Sequence, residues 1–106
     1  MIAGYLHFPR KQMLFWSTFT PPSKFIRNDI PKDRREFLAT LLQRGQLGQC
    51  YMGWADCRIC GKMLGTCDME TFDMIYPEKA EHYILVHNVW TIECDELLRR
   101  ASSFNL

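Results

Sequence analysis

The sequence predicts a single small α+β domain, and three observations carry that reading. The chain has 106 residues, enough for one modest core. Strand-like and helix-like periodicities alternate along it, with no linker between them. A Cys-x-x-Cys pair and two histidines then bracket a hairpin-like stretch in the C-terminal half. The expected organisation is an N-terminal strand and helix region over residues 1–50. A ββα-like, zinc-finger-like module over residues 51–106 packs with it as one domain and ends in a short helix.

Residues 1–20 read as extended structure, because KQMLFWSTFT is dense in aromatic and β-branched residues that fit a pleated surface. Met13, Phe15, Ser17 and Phe19 would share one face, and Leu14, Trp16, Thr18 and Thr20 the other. Pro21 and Pro22 end the strand, since neither can donate to a ladder. A basic loop follows, and Pro31 and Asp33 are expected to open a helix that runs through about Arg44. There Phe37, Leu38, Leu41 and Leu42 recur at the spacing of one helical stripe. Asp33 and Glu36 suit its positive end, and Gly45 follows as a natural left-handed C-terminal residue.

Residues 45–56, GQLGQCYMGWAD, contain three glycines and read as a connector. Residues 62–76 read as a β-hairpin turning between Glu70 and Asp73. Pro77 is placed in the first turn of a helix that runs through EKAEHYILVHN, with Asn88 as its left-handed cap. A last short helix, residues 94–103, carries Asp95 and Glu96 early and Arg99 and Arg100 late, matching the helix dipole.

Composition narrows the function classes. A 47% hydrophobic and 24% charged content is that of a folded globular protein rather than a disordered one. No apolar run reaches the roughly 18 residues that span a bilayer. Pro9, Arg10 and Lys11 interrupt the N-terminus before a signal-peptide core develops. A cytoplasmic location is therefore expected, and with it reduced thiols. The five cysteines, an odd number, are not expected to form a disulfide framework. The net charge of +1 conceals a split: residues 1–62 carry ten Lys/Arg against four Asp/Glu, and residues 63–106 three against eight. Two solvated faces explain that split as readily as a basic or an acidic docking surface does.

The chemistry is concentrated in Cys57-Arg-Ile-Cys60-Gly61 and His82-Tyr-Ile-Leu-Val-His87. Two thiolates converge in a C-x-x-C-G turn, and Gly61 lets the chain fold back over them. With two imidazoles, Cys57, Cys60, His82 and His87 form a tetrahedral donor set suited to one structural Zn²⁺ per chain. Positions five apart on an ideal helix point about 140° apart, so both histidines reach one ion only if the helix distorts near His87. His87 is thus the weakest ligand assignment. Cys67 is an alternative fourth donor, although a small packed side chain is the plainer reading of it. Cys50, Cys94 and His7 have no spacing that suggests chemistry.

The stretch GWADCRICGK, LGTCDMETFDM, IYPEKAEHYILVHNV resembles a group of small bacterial and phage proteins. These share a C-x-x-C-G turn, a short hairpin, an aromatic-Pro-Glu step and His-Tyr followed by a second histidine. The resemblance covers a little under half the chain, implies zinc at the same four residues and brings no activity with it. In outline the arrangement is also similar to a two-Cys, two-His zinc finger.

A base-reading finger would present the start of its helix to DNA, but Glu78 and Glu81 lie there and would repel phosphate. A deaminase-type site needs His-x-Glu and an open metal position, and here Glu81 precedes His82. His87-Asn88 alone does not make a nuclease, and neither a Ser-His-Asp signature nor a phosphate loop is present. Catalysis is not expected. The expected function is a zinc-binding protein-interaction module, and a phage source would make a regulator or inhibitor of a host defence or nucleic-acid machine (an anti-CRISPR type of protein) a natural case. The alternative is nucleic-acid binding through the basic-aromatic N-terminal half, where Arg10, Lys11, Phe15, Trp16, Lys24 and Arg27 interleave charge with stacking surface. Those same aromatics serve equally well as core. Tyr5, Phe8, Trp16, Trp54, Trp90 and Phe104 together offer more apolar surface than one small core readily hides.

Overall fold

A computed structural model describes residues 8–16 and 19–103. Four strands and three α-helices follow one another as β1 (Lys11–Gln12), α1 (Lys32–Gln43), β2 (Gln46–Asp56), β3 (Met63–Thr71), β4 (Met74–Pro77), α2 (Glu81–Leu85) and α3 (Ile92–Ser102). The strands make one mixed sheet in the order β1-β4-β3-β2. β1 runs parallel to β4, whereas β3 is antiparallel to both β4 and β2. The α+β class expected from the sequence is the class observed.

The N-terminal strand is far shorter than its composition suggested. Only Lys11 and Gln12 pair, against Met74 and Ile75. Leu14 adopts φ 63°, which ends the extended run, and Met13 and Leu14 are both buried, so the two-faced alternation fails. Burial of Met13 and Leu14 in the core overrides β-propensity here. The remainder of the expected strand at residues 1–7 and 17–18 lies outside the described residues, as do Tyr5, His7 and Phe104. A short 3-10 turn, Pro22–Phe25, follows where a loop was expected.

α1 forms as its periodicity predicts, with Pro31 as its N-cap and Arg44 as its C-cap. Leu38, Ala39, Leu41 and Leu42 are buried, while Phe37, expected on the same stripe, stays 47% exposed. It packs on α2, α3 and β3. Gly45 is required for a different reason from the one its position suggested. Its φ is not left-handed; a Cβ there would lie 2.0 Å from Tyr76 Oη, which donates to Leu42 O at 2.7 Å. Close backbone approach selects the glycine.

Residues 45–56 are not a connector, because Gln46–Asp56 forms the edge strand β2. Its glycines, Gly48 and Gly53, misled because strand bulges use glycine too. Pairing with β3 shifts register between Leu47 and Cys50, between Cys50 and Ala55 and again at Asp56. The strand crosses position 50, so residues 1–50 and 51–106 share one sheet. The hairpin holds: β3 and β4 turn through Phe72 and Asp73, whose φ values of 49° and 62° match a two-residue primed turn. Pro77 closes β4 instead of opening a helix.

The core gathers Trp90, Tyr76, Leu38, Leu42, Leu64, Met74, Ile84 and Leu97, with Met13 and Leu14 over it. α3 starts two residues earlier than expected. Thr91 N donates to Cys94 Sγ at 3.4 Å, so a cysteine fills the reciprocal place in the cap of that helix. Burial pushes the Cys94 thiol up to about 11. Arg100, 4% exposed, ties the molecule's ends together, donating to Phe72 O, Pro9 O and Glu96. Among the described residues no helix is long and apolar enough to cross a membrane.

Candidate metal centre

Two local structures build the centre. The first is the turn from β2 into β3, over residues 57–62. Cys57 N donates to Lys62 O at 2.7 Å, and Gly61 N donates to Cys57 O at 2.8 Å. Gly61 sits at φ 82°, a conformation that a side chain would strain. The chain consequently folds over its own sulfur, and Ile59 N donates to Cys57 Sγ at 3.4 Å. Cys57 is buried and Cys60 is exposed.

The second is the segment around α2, which is much shorter than its sequence suggested. Lys79 takes φ 60° and delays the helix to Glu81; Asn88 takes φ 56° in the left-handed role foreseen for it. His82 lies in the first turn of α2, and His87 lies beyond its end. The 140° separation of an ideal helix therefore never applies. Their rings stand 4.9 Å apart and nearly perpendicular. Tyr83 locks the two pieces together, because its hydroxyl accepts from Arg58 N at 2.8 Å inside the cysteine turn.

The result is a cluster in which one donor atom from each of Cys57, Cys60, His82 and His87 lies within 4.8 Å of the others. Cys60 Sγ and His82 Nε2 are 3.3 Å apart. Tetrahedral bonds of roughly 2.0–2.3 Å imply donor separations of roughly 3.3–3.8 Å, so this pair already has metal-site spacing. His87 Nε2 is buried with no hydrogen-bond partner, which is costly unless something else satisfies it. Burial, then His87 and Lys62, hold His82 below the usual imidazole range and so in its neutral, ligating form. The four residues can hold a metal ion, with donors of the kind such ions require.

Cys67 takes no part. It is disulfide-bonded to Cys50 across β2 and β3, where the two face each other in register with Cα atoms 3.9 Å apart. This corrects two expectations at once: Cys67 is not an alternative ligand, and one disulfide is present. Reading residues 45–56 as a connector concealed the pairing. No feature of the cysteine spacing alone would have revealed it.

The residues expected to form a partner surface have separate roles. Arg10 pairs with Glu70 at 2.9 Å, Lys11 with Glu96 at 2.7 Å and Arg27 with Asp29 at 2.7 Å. Trp16 stacks on Phe25 at 5.4 Å and meets Tyr83 edge-on at 5.8 Å. Phe15 and Lys24 are exposed. Of the surplus aromatics, Trp90 is buried, whereas Trp54 on β2 is 68% exposed beside Tyr51 at 52%. Sequence reasoning missed Tyr51, because a residue assigned to a connector is not expected to present a face. No protein-family model matches the chain, nor does any curated protein or solved structure.

Proposed function

We propose that the chain is a non-catalytic protein-interaction module whose fold is stapled by one structural zinc ion. The observation that carries this reading is the convergence of two cysteines and two histidines within 4.8 Å. Two thiolates and two imidazoles suit tetrahedral zinc, and with four protein donors no position stays open for substrate. The interaction role is supported by β2, an edge strand exposed along its whole length that presents Leu47, Tyr51, Met52 and Trp54 to solvent. Exposed apolar residues grouped on an edge strand suit docking.

Metal analysis of protein purified without chelator should give one zinc per chain, and Cys57→Ser should abolish it. Folded protein that carries no metal under those conditions overturns the zinc assignment. Affinity capture should recover a specific protein partner with the wild-type chain and lose it with Trp54→Ala. Nucleic-acid binding by the N-terminal half draws less support, since Arg10, Lys11 and Arg27 already face carboxylates of the same chain.

A further inference from the structure

Next to the cysteine turn, β2, β3 and residues 14–16 enclose a cleft of about 410 Å³. Its aromatic walls are Trp16, Tyr51, Trp54 and Tyr83. Three carboxylates line it as well, from Asp56, Asp68 and Glu78, against the single cation of Arg58. None of the three is in an ion pair among the described residues. Arg58 is already engaged, its Nη1 donating to Trp16 O at 3.0 Å.

Two of the carboxylates, Glu78 and Asp68, are held in place by the fold. Glu78 Oε1 accepts from Thr66 N at 3.1 Å and from Cys67 N at 3.2 Å. Gly65 makes room for it, since a Cβ there would lie 2.4 Å from the same oxygen. Asp68 accepts the Tyr51 hydroxyl at 2.8 Å. Each retains lone pairs for another donor.

Aromatic walls with surplus negative charge select among ligands. An anion is repelled, and a neutral apolar group gains nothing from the carboxylates. A cation on an aliphatic stem uses both, because ring faces attract it and carboxylates accept its N–H groups. The cleft also opens beside the unpaired edge of the sheet. β2 is the last strand in the order, all eleven of its residues are exposed, and it has neither the proline nor the lysine that usually guards an edge. An extended peptide can lie along such an edge and set alternate side chains into a neighbouring pocket.

We propose that this cleft receives the arginine or lysine side chains of a basic protein segment laid in extended form along β2. The proposal rests on the protein-interaction reading and names the chemistry of the partner.

The test uses the zinc-loaded full chain and an acetylated, amidated peptide alternating arginine with valine, beside matched peptides carrying citrulline or glutamate. Tryptophan fluorescence and calorimetry report binding; Trp90, being buried, serves as an internal reference. The arginine peptide should bind saturably and about tenfold more tightly than the citrulline peptide, with no binding of the glutamate peptide. Trp54→Ala and Asp68→Asn should each weaken it about fivefold, and Trp54→Phe should restore most of the loss. Equal zinc content and circular dichroism certify that the variants are folded. Equal affinity for the citrulline peptide, no saturable binding, or undiminished binding by both variants overturns the proposal. If the whole chain captures a specific protein that the arginine peptide does not displace, the cleft assignment fails and the interaction reading stands. If no protein is captured, the interaction reading itself fails.

Discussion

At the scale of single residues, the fold depends on a few close approaches that leave no room for substitution. Gly45 lies against the Tyr76 hydroxyl, so Gly45→Ala should destabilise the protein by about 1–3 kcal/mol through overpacking. The same substitution should cost less in a Tyr76→Phe background, where the clashing oxygen is gone, although Leu42 O then loses its donor. Denaturant melts of the four proteins in this cycle check both statements. Glu96 supplies a pH dependence. The Lys11 ammonium, with Arg100 beyond it, holds the Glu96 carboxyl below the usual range despite partial burial. A carboxylate with a depressed folded pKa stabilises above its unfolded value of about 4.3, and that contribution is lost as pH falls through the folded value. Glu96→Gln should therefore be less stable than wild type at pH 7, and the gap should close in acid below about pH 4. An unchanged gap at pH 3 would sink that attribution.

Among the elements, β2 has the most distinctive construction. Its pairing with β3 shifts register three times, while the Cys50–Cys67 bond links the two at mid-strand. The bond closes a segment with a sequence separation of 17 that contains the whole cysteine turn of the metal centre. A loop of that size raises stability by about 3 kcal/mol by restricting the unfolded chain. Cys50→Ser should thus lower stability by about that amount in metal-free protein. With metal bound the loss should be smaller, because the ion already restrains part of the same loop. Chemical denaturation with and without zinc, alongside thiol counting under non-reducing conditions, distinguishes the two cases. α2, by contrast, is only five residues long and would not form alone. It is held by the buried Tyr83 and Ile84 rather than by propensity.

Over the whole molecule, the candidate metal cluster brings together residues from two separate parts of the chain. It links the β2–β3 turn to the segment after β4, and His87 lies just before the bridge between Ile26 and Val89. On the zinc-stapled reading, loss of the ion leaves the buried His87 Nε2 without a partner, so the effect should spread beyond the site. Chelation should lower the melting temperature by more than 10 °C, on the order of several kcal/mol for a domain of this size. Cys57→Ser and His82→Ala should match the chelated wild type and respond no further to chelator. His87→Ala should behave in the same way, since the ring reaches the cluster from outside α2. A variant that keeps full zinc content removes that residue from the ligand set.

The sequence by itself determined the α+β class, α1, the β3–β4 hairpin, the left-handed Asn88 and the four residues of the candidate metal cluster. Each of these is encoded locally: a 3-and-4 apolar stripe, a turn between two β-rich runs, a C-x-x-C-G knuckle. Only the tertiary structure decided the rest. Lys11–Gln12 pairs with β4 over 60 residues away in sequence, and burial of Met13 and Leu14 ends that strand where composition would have continued it. Residues 45–56 became a strand because β3 supplies partners for their backbone, which no property of three glycines announces. The Cys50–Cys67 bond, and the cleft where Trp16, Trp54 and Asp68 meet, follow from that pairing. Local patterns reveal which residues a segment can use; long-range pairing and burial decide which neighbours it meets.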